Sequence, residues 1–134
     1  MHEFQLLDEA IALYRVAPNV LTDSSALRNN LGVAMRAKGL QSEALEEFKK
    51  AYALAPNDVA VLTNLANAHN ALRQFDDAIA VYRRALAVRP HLPAHVNLGS
   101  LLQSMGQFYL AEVEYIAALK IDPLFAMAES NLLF

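Results

Sequence analysis

Asparagine recurs along the chain at a nearly constant spacing. Asn30, Asn64, Asn97 and Asn131, here called the asparagine row, are 33 or 34 residues apart. Each carboxamide offers two N–H donors and an oxygen with two lone pairs. A line of such groups can hydrogen-bond the backbone of an extended peptide with little regard to its side chains. The spacing therefore predicts a peptide-binding surface. The alternative is that these side chains bond neighbouring backbone and only support the fold.

The side chains expected beside the asparagine row are neutral, small or amide-bearing. Asn29, Asn67, Asn70 and Arg36 are the further candidates for contact with a peptide. Arg36 is the only basic side chain expected on this surface, so we expect peptide binding to depend weakly on salt. Arg83, Arg84 and Arg89 should lie on the opposite, outer face.

The other polar residues do not form a recognisable catalytic or metal-binding pattern. The chain has no Cys, no Gly-rich phosphate loop and no nucleophile motif. His69 is expected to point inward, and His91 and His95 lack the cysteine or nearby carboxylate of a good metal site. The adjacent acids Glu46–Glu47 and Asp76–Asp77 are expected on solvated helix surfaces. The sequence thus predicts a protein that is not an enzyme, with no cofactor and no metal ion.

Composition limits the kind of partner. The chain has 134 residues, of which 55% are hydrophobic and 19% charged, which favours one folded domain over disorder. The net charge of −3 gives no general attraction to nucleic acid or to an anionic membrane. The sequence shows neither an apolar run of about 18 residues nor a secretory signal. We therefore expect a cytoplasmic protein whose partner is a protein or peptide.

Apolar residues place the asparagine row on helices. In the central period they recur at steps of three and four residues, which puts each set on one helix face. The two sets are Val61, Leu62, Leu65, Ala68 and Leu72, followed by Ala78, Ile79, Tyr82, Ala85 and Leu86. Asp76 is the expected start of the second helix, and Pro90 follows it as a stop. Each period is therefore predicted to be a pair of antiparallel helices.

The repeats predict an all-α solenoid in one domain. Its parts are a half repeat with a link (1–24), three repeats (25–58, 59–91 and 92–125) and a truncated repeat (126–134). The predicted helices of the complete repeats are 25–38, 42–55, 59–72, 76–89, 93–105 and 109–121. Both ends fall inside a repeat, so we expect a piece of a longer protein. Apolar ends that include Leu132–Phe134 should also promote self-association.

The pattern resembles the tetratricopeptide repeat family over nearly the whole chain. In the central repeat the matching residues are Asn64, Leu65, Ala66, Phe75, Ala78, Tyr82, Ala85 and Pro90. The resemblance implies a right-handed superhelix whose first helices line a concave groove, and a role as a protein-interaction scaffold. Members that grip a C-terminal carboxylate use a cluster of lysines. This chain has Asn29, Thr63 and Val96 where such a lysine is expected, so we expect no carboxylate clamp.

The last residues carry a finer resemblance. Ser130–Phe134 is similar to the segment that ends the repeat array of bacterial O-GlcNAc transferase-like proteins. Those transferases hold substrate peptides with a ladder of asparagines. The resemblance implies a second hypothesis, in which the chain is the substrate-recognition arm of a glycosyltransferase and is inactive alone. A third hypothesis is a purely structural or self-assembly module.

Overall fold

Residues 24–124, together with Asp8, Glu9, Ile11 and Ala12, are described by a computed structural model. Residues 24–124 contain six α-helices and no strand, and Asp8, Glu9, Ile11 and Ala12 are also helical. The six helices are α1 (Ser25–Ala37), α2 (Gln41–Leu54), α3 (Val59–Ala71), α4 (Phe75–Val88), α5 (Leu92–Ser104) and α6 (Phe108–Ile121). Each begins and ends within one residue of the predicted bounds. Asn131, the segment Ser130–Phe134 and most of the predicted first half repeat lie outside the described residues.

The helices form three pairs that stack in chain order. α1 packs on α2, α3 on α4, and α5 on α6. The second helix of one pair packs on the first helix of the next pair, and α3 also contacts α1 and α5 directly. The first helix of each pair, α1, α3 or α5, therefore contributes to one shared surface, here called the first-helix surface. The asparagine row was predicted to lie on this surface. The all-α repeat architecture predicted from the sequence is confirmed.

Buried aromatic rings fill the space within and between the pairs. Phe48 and Tyr82 are fully buried, as are Ala44 and Ala78 on the same helices. Ile11, upstream of α1, is also buried and belongs to the apolar cluster around α1 and α2. The core is thus continuous across neighbouring repeats, because one pair of helices cannot bury both of its faces.

Two glycines mark the places where a ring lies directly on a helix backbone. A Cβ atom added to Gly32 would meet Cε1 of Phe48 at 2.6 Å, and one added to Gly99 would meet Cε1 of Tyr115 at 2.9 Å. The nearest atoms belong to the aromatic rings, because these rings reach back across the pair.

Two of the three first helices begin with a side-chain cap, whereas His91 before α5 makes no such bond. Ser24 Oγ accepts a hydrogen bond from the Leu27 amide at 3.1 Å. Asp58 caps α3 in the same way, accepting from the amides of Ala60 and Val61. These bonds satisfy backbone donors that the first helical turn leaves without partners.

The predicted start of α4 at Asp76 is wrong by one residue. The helix begins at Phe75, with Gln74 as a cap residue that makes no side-chain capping bond. The tight turn accounts for the shift, since Arg73 and Gln74 bond back to α3 and the next residue already has helical geometry. Asp76 and Asp77 consequently lie inside the first turn, where the helix dipole favours negative charge.

The turns inside the three pairs use the same backbone conformation with different residues. Gly39 and Gly106 have φ of 89° and 81°, and Arg73 takes the same place with φ of 62°. Residues other than glycine rarely adopt a positive φ, because Cβ then crowds the backbone. Arg73 also stacks its guanidinium 5.5 Å from the centre of the Phe75 ring, which offsets part of this strain.

We expect Arg73→Gly to stabilise the protein by about 0.5–1 kcal/mol, because glycine relieves the left-handed conformation. Urea unfolding of the two proteins would measure the difference. Arg73→Ala is the matched control, since it removes the same cation–π contact but keeps a Cβ atom. A glycine variant no more stable than the alanine variant would contradict the prediction.

Candidate functional site

The described members of the asparagine row lie on successive first helices. Asn30 is on α1, Asn64 on α3 and Asn97 on α5, and Asn131 is beyond the described residues. Asn30 is exposed, whereas Asn64 and Asn97 are half-buried. The helical repeat therefore brings the three side chains to one surface. Their exposure nevertheless differs.

Hydrogen bonds link asparagines of neighbouring first helices. Asn64 Nδ2 donates to Oδ1 of Asn29 at 3.0 Å, which connects α3 to α1. Asn97 Nδ2 donates to Oδ1 of Asn67 at 3.1 Å, which connects α5 to α3. The alternative for the asparagine row was that its side chains bond neighbouring backbone. Asn64 and Asn97 instead bond side chains of the adjacent repeat.

These bonds use only part of the capacity of each carboxamide. A carboxamide has two donors and two lone pairs. Asn64 gives one donor to Asn29, and its oxygen accepts from Arg36 Nη1 at 3.4 Å. Asn97 gives one donor to Asn67. Donor and acceptor positions therefore remain on this surface for a ligand.

Asn67 is bonded to two neighbouring helices. Its Oδ1 accepts the Asn97 bond and also a hydrogen bond from the hydroxyl of Tyr82. Burial raises the pKa of Tyr82 to about 12, so the phenol stays protonated and acts as a donor at neutral pH. Asn67 thus ties α3 to α4 and α5 together. Asn70 is half-buried one turn further along α3.

Arg36 is positioned by contacts on both sides. Its guanidinium lies 6.0 Å from the centre of the Phe48 ring and also donates to Asn64. The charge is thereby fixed beside the asparagines. Thr63, which the sequence also placed in the groove, is instead buried, because its hydroxyl turns inward and donates to the Val59 carbonyl at 2.8 Å.

Two glutamates lie in the interior, which the sequence did not predict. Glu47 was expected on a solvated surface, but it is only 7% exposed and accepts from Arg28 at 2.9 Å and from Lys50 at 3.1 Å. Glu114 is 8% exposed and lies 2.8 Å from His95 Nδ1. A buried carboxylate needs such partners because desolvation of its charge is costly.

The two pairs occupy the same place in different repeats. Arg28 and His95 correspond in the first helices, and Glu47 and Glu114 correspond in the second helices. His95 therefore does have a carboxylate beside it, contrary to the expectation from sequence. Both pairs could have been found from the sequence, because the repeat period places the two basic residues at one repeat position and the two glutamates at another.

The other histidines have ordinary structural environments. His69 is buried, and its Nδ1 lies 2.7 Å from Oε1 of Gln74, so the inward-facing position is confirmed. The pKa of His91 is lowered by burial and then by the charges of Arg89 and His95. Within the described ranges, no three His, Cys, Asp or Glu side chains are grouped as metal ligands would be.

The arginines of the outer face are in part engaged with the protein. Arg84 donates to the Pro56 carbonyl at 3.3 Å and lies 5.5 Å from the centre of the Tyr52 ring. Arg83 Nη1 is 3.9 Å from Glu114, whereas Arg89 is exposed. Among the described helices, none is both long and apolar enough to cross a membrane.

Sequence comparison identifies one family. Models described as "Tetratricopeptide repeat" match residues 35–102 and 92–123. BBSome complex member BBS4 of Xenopus tropicalis is 32% identical over 108 residues, which are 80% of this chain and 20% of that protein. Human protein O-mannosyl-transferase TMTC3 is 34% identical over 90 residues, 66% of this chain and 10% of that protein. The chain thus spans a fifth or less of these relatives.

Solved structures agree with the fold. The crystal structure of MamA superposes with a TM-score of 0.85 at 25% identity, covering 94% of this chain and 74% of that one. The first repeat domain of Spaghetti (RPAP3), bound to the HSP90 peptide SRMEEVD, superposes with a TM-score of 0.76 at 22% identity, covering 84% and 92%.

Proposed function

Because the chain belongs to the tetratricopeptide repeat family, whose domains generally mediate protein–protein interaction, we propose that it binds an extended peptide segment in the groove of its first-helix surface. The carboxamides of Asn30, Asn64 and Asn97 bond the backbone of that peptide. Arg36, between Phe48 and Asn64, supplies a fixed positive charge.

The observation that carries this proposal is the chain of partly satisfied carboxamides across three repeats. The bonds from Asn64 to Asn29 and from Asn97 to Asn67 hold the amides in place before a ligand arrives. Such preorganisation lowers the entropy cost of binding. The solved complex of the RPAP3 domain with an HSP90 peptide supports a peptide as the class of ligand. The absence of lysine at positions 29, 63 and 96 argues against a ligand held by its C-terminal carboxylate.

A peptide selected from a random-sequence display library with the parent protein is the probe for this groove. We expect Asn30→Ala and Asn64→Ala each to weaken its binding by about 0.5–1.5 kcal/mol, the net contribution of one hydrogen bond. The double variant should lose roughly the sum if the two amides bond separate points of the peptide. Isothermal titration at low and high salt would measure both effects, and affinity should change little with salt.

Asn57→Ala is the matched control, since Asn57 lies in the turn before α3 and away from the asparagine row. Thermal unfolding of each variant separates lost binding from lost folding, because Asn64 also bonds within the protein. Unchanged affinity in the double variant would assign the asparagines a structural role only. A steep loss of affinity with salt would move the binding surface to Arg83, Arg84 and Arg89.

A second candidate is the substrate-recognition arm of a glycosyltransferase. The match to part of a protein O-mannosyl-transferase favours it, and it agrees with the resemblance that the sequence suggests between Ser130–Phe134 and the O-GlcNAc transferase-like proteins. In this case the same groove would hold the acceptor protein. The coding sequence around these residues in the source genome tests it, because an arm requires a transferase region in the same polypeptide. An open reading frame without one would exclude this role.

A further inference from the structure

The outer face of α6 carries a stripe of exposed apolar side chains. Tyr109 is 76% exposed, Leu110 39%, Val113 43% and Ile116 45%. Tyr109, Val113 and Ile116 follow one another at steps of four and three residues, and Leu110 lies beside Val113. They therefore form one continuous face, here called the outer stripe.

The other two repeats are mostly polar at the same positions. The counterparts of the outer stripe are Ser42, Glu43, Glu46 and Lys49 on α2, and Asp76, Asp77, Ala80 and Arg83 on α4. All eight are exposed, although α2 and α4 each have a following helix pair stacked against them. A further repeat stacked on α6 would therefore leave the outer stripe uncovered as well. The stripe is a separate surface and not simply the end of the solenoid.

The charges around the stripe favour a helix of the same sequence as its partner. Val113 and Ile116 lie at equal distances on either side of the centre of α6, and so do Tyr109 and Lys120. When two copies of α6 pair antiparallel, Val113 meets Ile116 of the second copy. The stem of Lys120 then covers Tyr109, and its ammonium comes within one helical turn of Glu112. Glu112 of each copy can thus pair with Lys120 of the other copy.

We propose that the outer stripe is a self-complementary surface through which two copies of the chain associate around a two-fold axis. The arrangement is isologous, since each contact occurs twice. It is distinct from association through the chain ends, because none of its residues lies in 125–134. It is also independent of the proposed groove, which is formed by α1, α3 and α5 on the other side of the helix pairs.

The expected dimer is small. α6 has 14 residues, so two such helices side by side bury an area at or below the low end of specific interfaces, about 1,200 Å². Interfaces of this size give weak and reversible association. We therefore expect a dimer that dissociates on dilution from roughly 100 μM to 1 μM.

Sedimentation velocity of the 134-residue chain over this concentration range tests the proposal. The informative variants are Ile116→Arg and Val113→Glu, which install the residue types of Arg83 and Glu46 at the same repeat positions. Because those positions are exposed in α2 and α4, both variants should fold normally. We expect each to raise the dissociation constant at least tenfold. Circular dichroism should show unchanged helix content.

Two further variants separate this surface from other routes of association. Val88→Arg changes an exposed apolar side chain on α4 and should leave the dimer intact. Phe134→Ser changes the chain end and should also leave it intact. A parent protein that stays monomeric at 100 μM would overturn the proposal. A dimer that persists in the Ile116→Arg variant would also overturn the proposal. If Phe134→Ser then abolished that dimer, association would be assigned to the chain end.

Discussion

Gly32→Ala is expected to destabilise the protein by about 1–3 kcal/mol, although alanine is the better helix former. The new Cβ would lie 2.6–2.9 Å from three atoms of the Phe48 ring. Phe48 is fully buried, so the ring cannot move aside without disturbing the core. In a close-packed interior an overlap of this size requires α1 and α2 to separate, and this costs more than the propensity gain of about 1 kcal/mol.

The effect should reverse when the ring is removed. In a Phe48→Leu background the atoms that oppose Cβ are absent, so Gly32→Ala should be neutral or should stabilise by up to about 1 kcal/mol. Urea unfolding of the four proteins in this double-mutant cycle would measure the coupling directly. The cycle isolates the contact, because helix propensity contributes equally in both backgrounds.

The chain contains its own controls for this contact. Ala66 occupies the equivalent place on α3 and is fully buried together with Tyr82, so that pair accommodates a Cβ. Gly99→Ala should cost less than Gly32→Ala, since its nearest ring atom is at 2.9 Å and Tyr115 is only half-buried. A Gly32→Ala protein as stable as the parent would contradict the close approach of ring and helix.

The helices could be predicted from sequence because their cause is local and repeated. Apolar residues at steps of three and four residues fix the buried face, and Gly39 and Gly106 mark two of the turns. Arg73 shows that the turn conformation follows from the packing of the pair, even where glycine is absent. The bounds of α3 and α4 could therefore be predicted although no glycine marks the turn between them.

The candidate site could be predicted only in part. The repeat places Asn30, Asn64 and Asn97 on one surface, but the partners of their amides depend on the spacing between helices, which the sequence does not give. Thr63 differs from its neighbours for a local reason, since a hydroxyl can bond its own helix and turn inward. Whether the asparagine row binds a peptide remains a prediction.

Differences between repeats proved as informative as shared residues. The outer stripe is visible in the sequence as Tyr, Leu, Val and Ile where α2 and α4 have mostly charged residues. The buried pairs are visible as Arg28 with Glu47 and His95 with Glu114, at matching positions of two repeats. The central repeat has Leu62 and Val81 at those positions, and both pack in its apolar core. One site in the repeat therefore accepts either a charge pair or an apolar pair.

This equivalence leads to the second prediction of large effect. Arg28→Leu should destabilise the protein by about 3 kcal/mol, because Glu47 would keep a buried charge without its shortest partner. Lys50 still reaches Glu47, but its own side chain is more than half exposed, so the compensation is partial. Glu47→Val should also destabilise, since it leaves the guanidinium facing an apolar side chain.

The double variant Arg28→Leu, Glu47→Val should recover most of this loss and equal the parent within about 1 kcal/mol, because well-packed apolar residues can replace a buried ion pair. It copies the residues that the central repeat already uses. Urea unfolding of the parent, both single variants and the double variant would give the coupling energy. Glu46→Ala is the control, since the Glu46–Lys49 pair is solvent-exposed and its loss should change stability by less than about 1 kcal/mol. The double variant could instead lose as much unfolding free energy as the two single variants lose together. This result would show that the ion pair has a role that the apolar pair cannot fill.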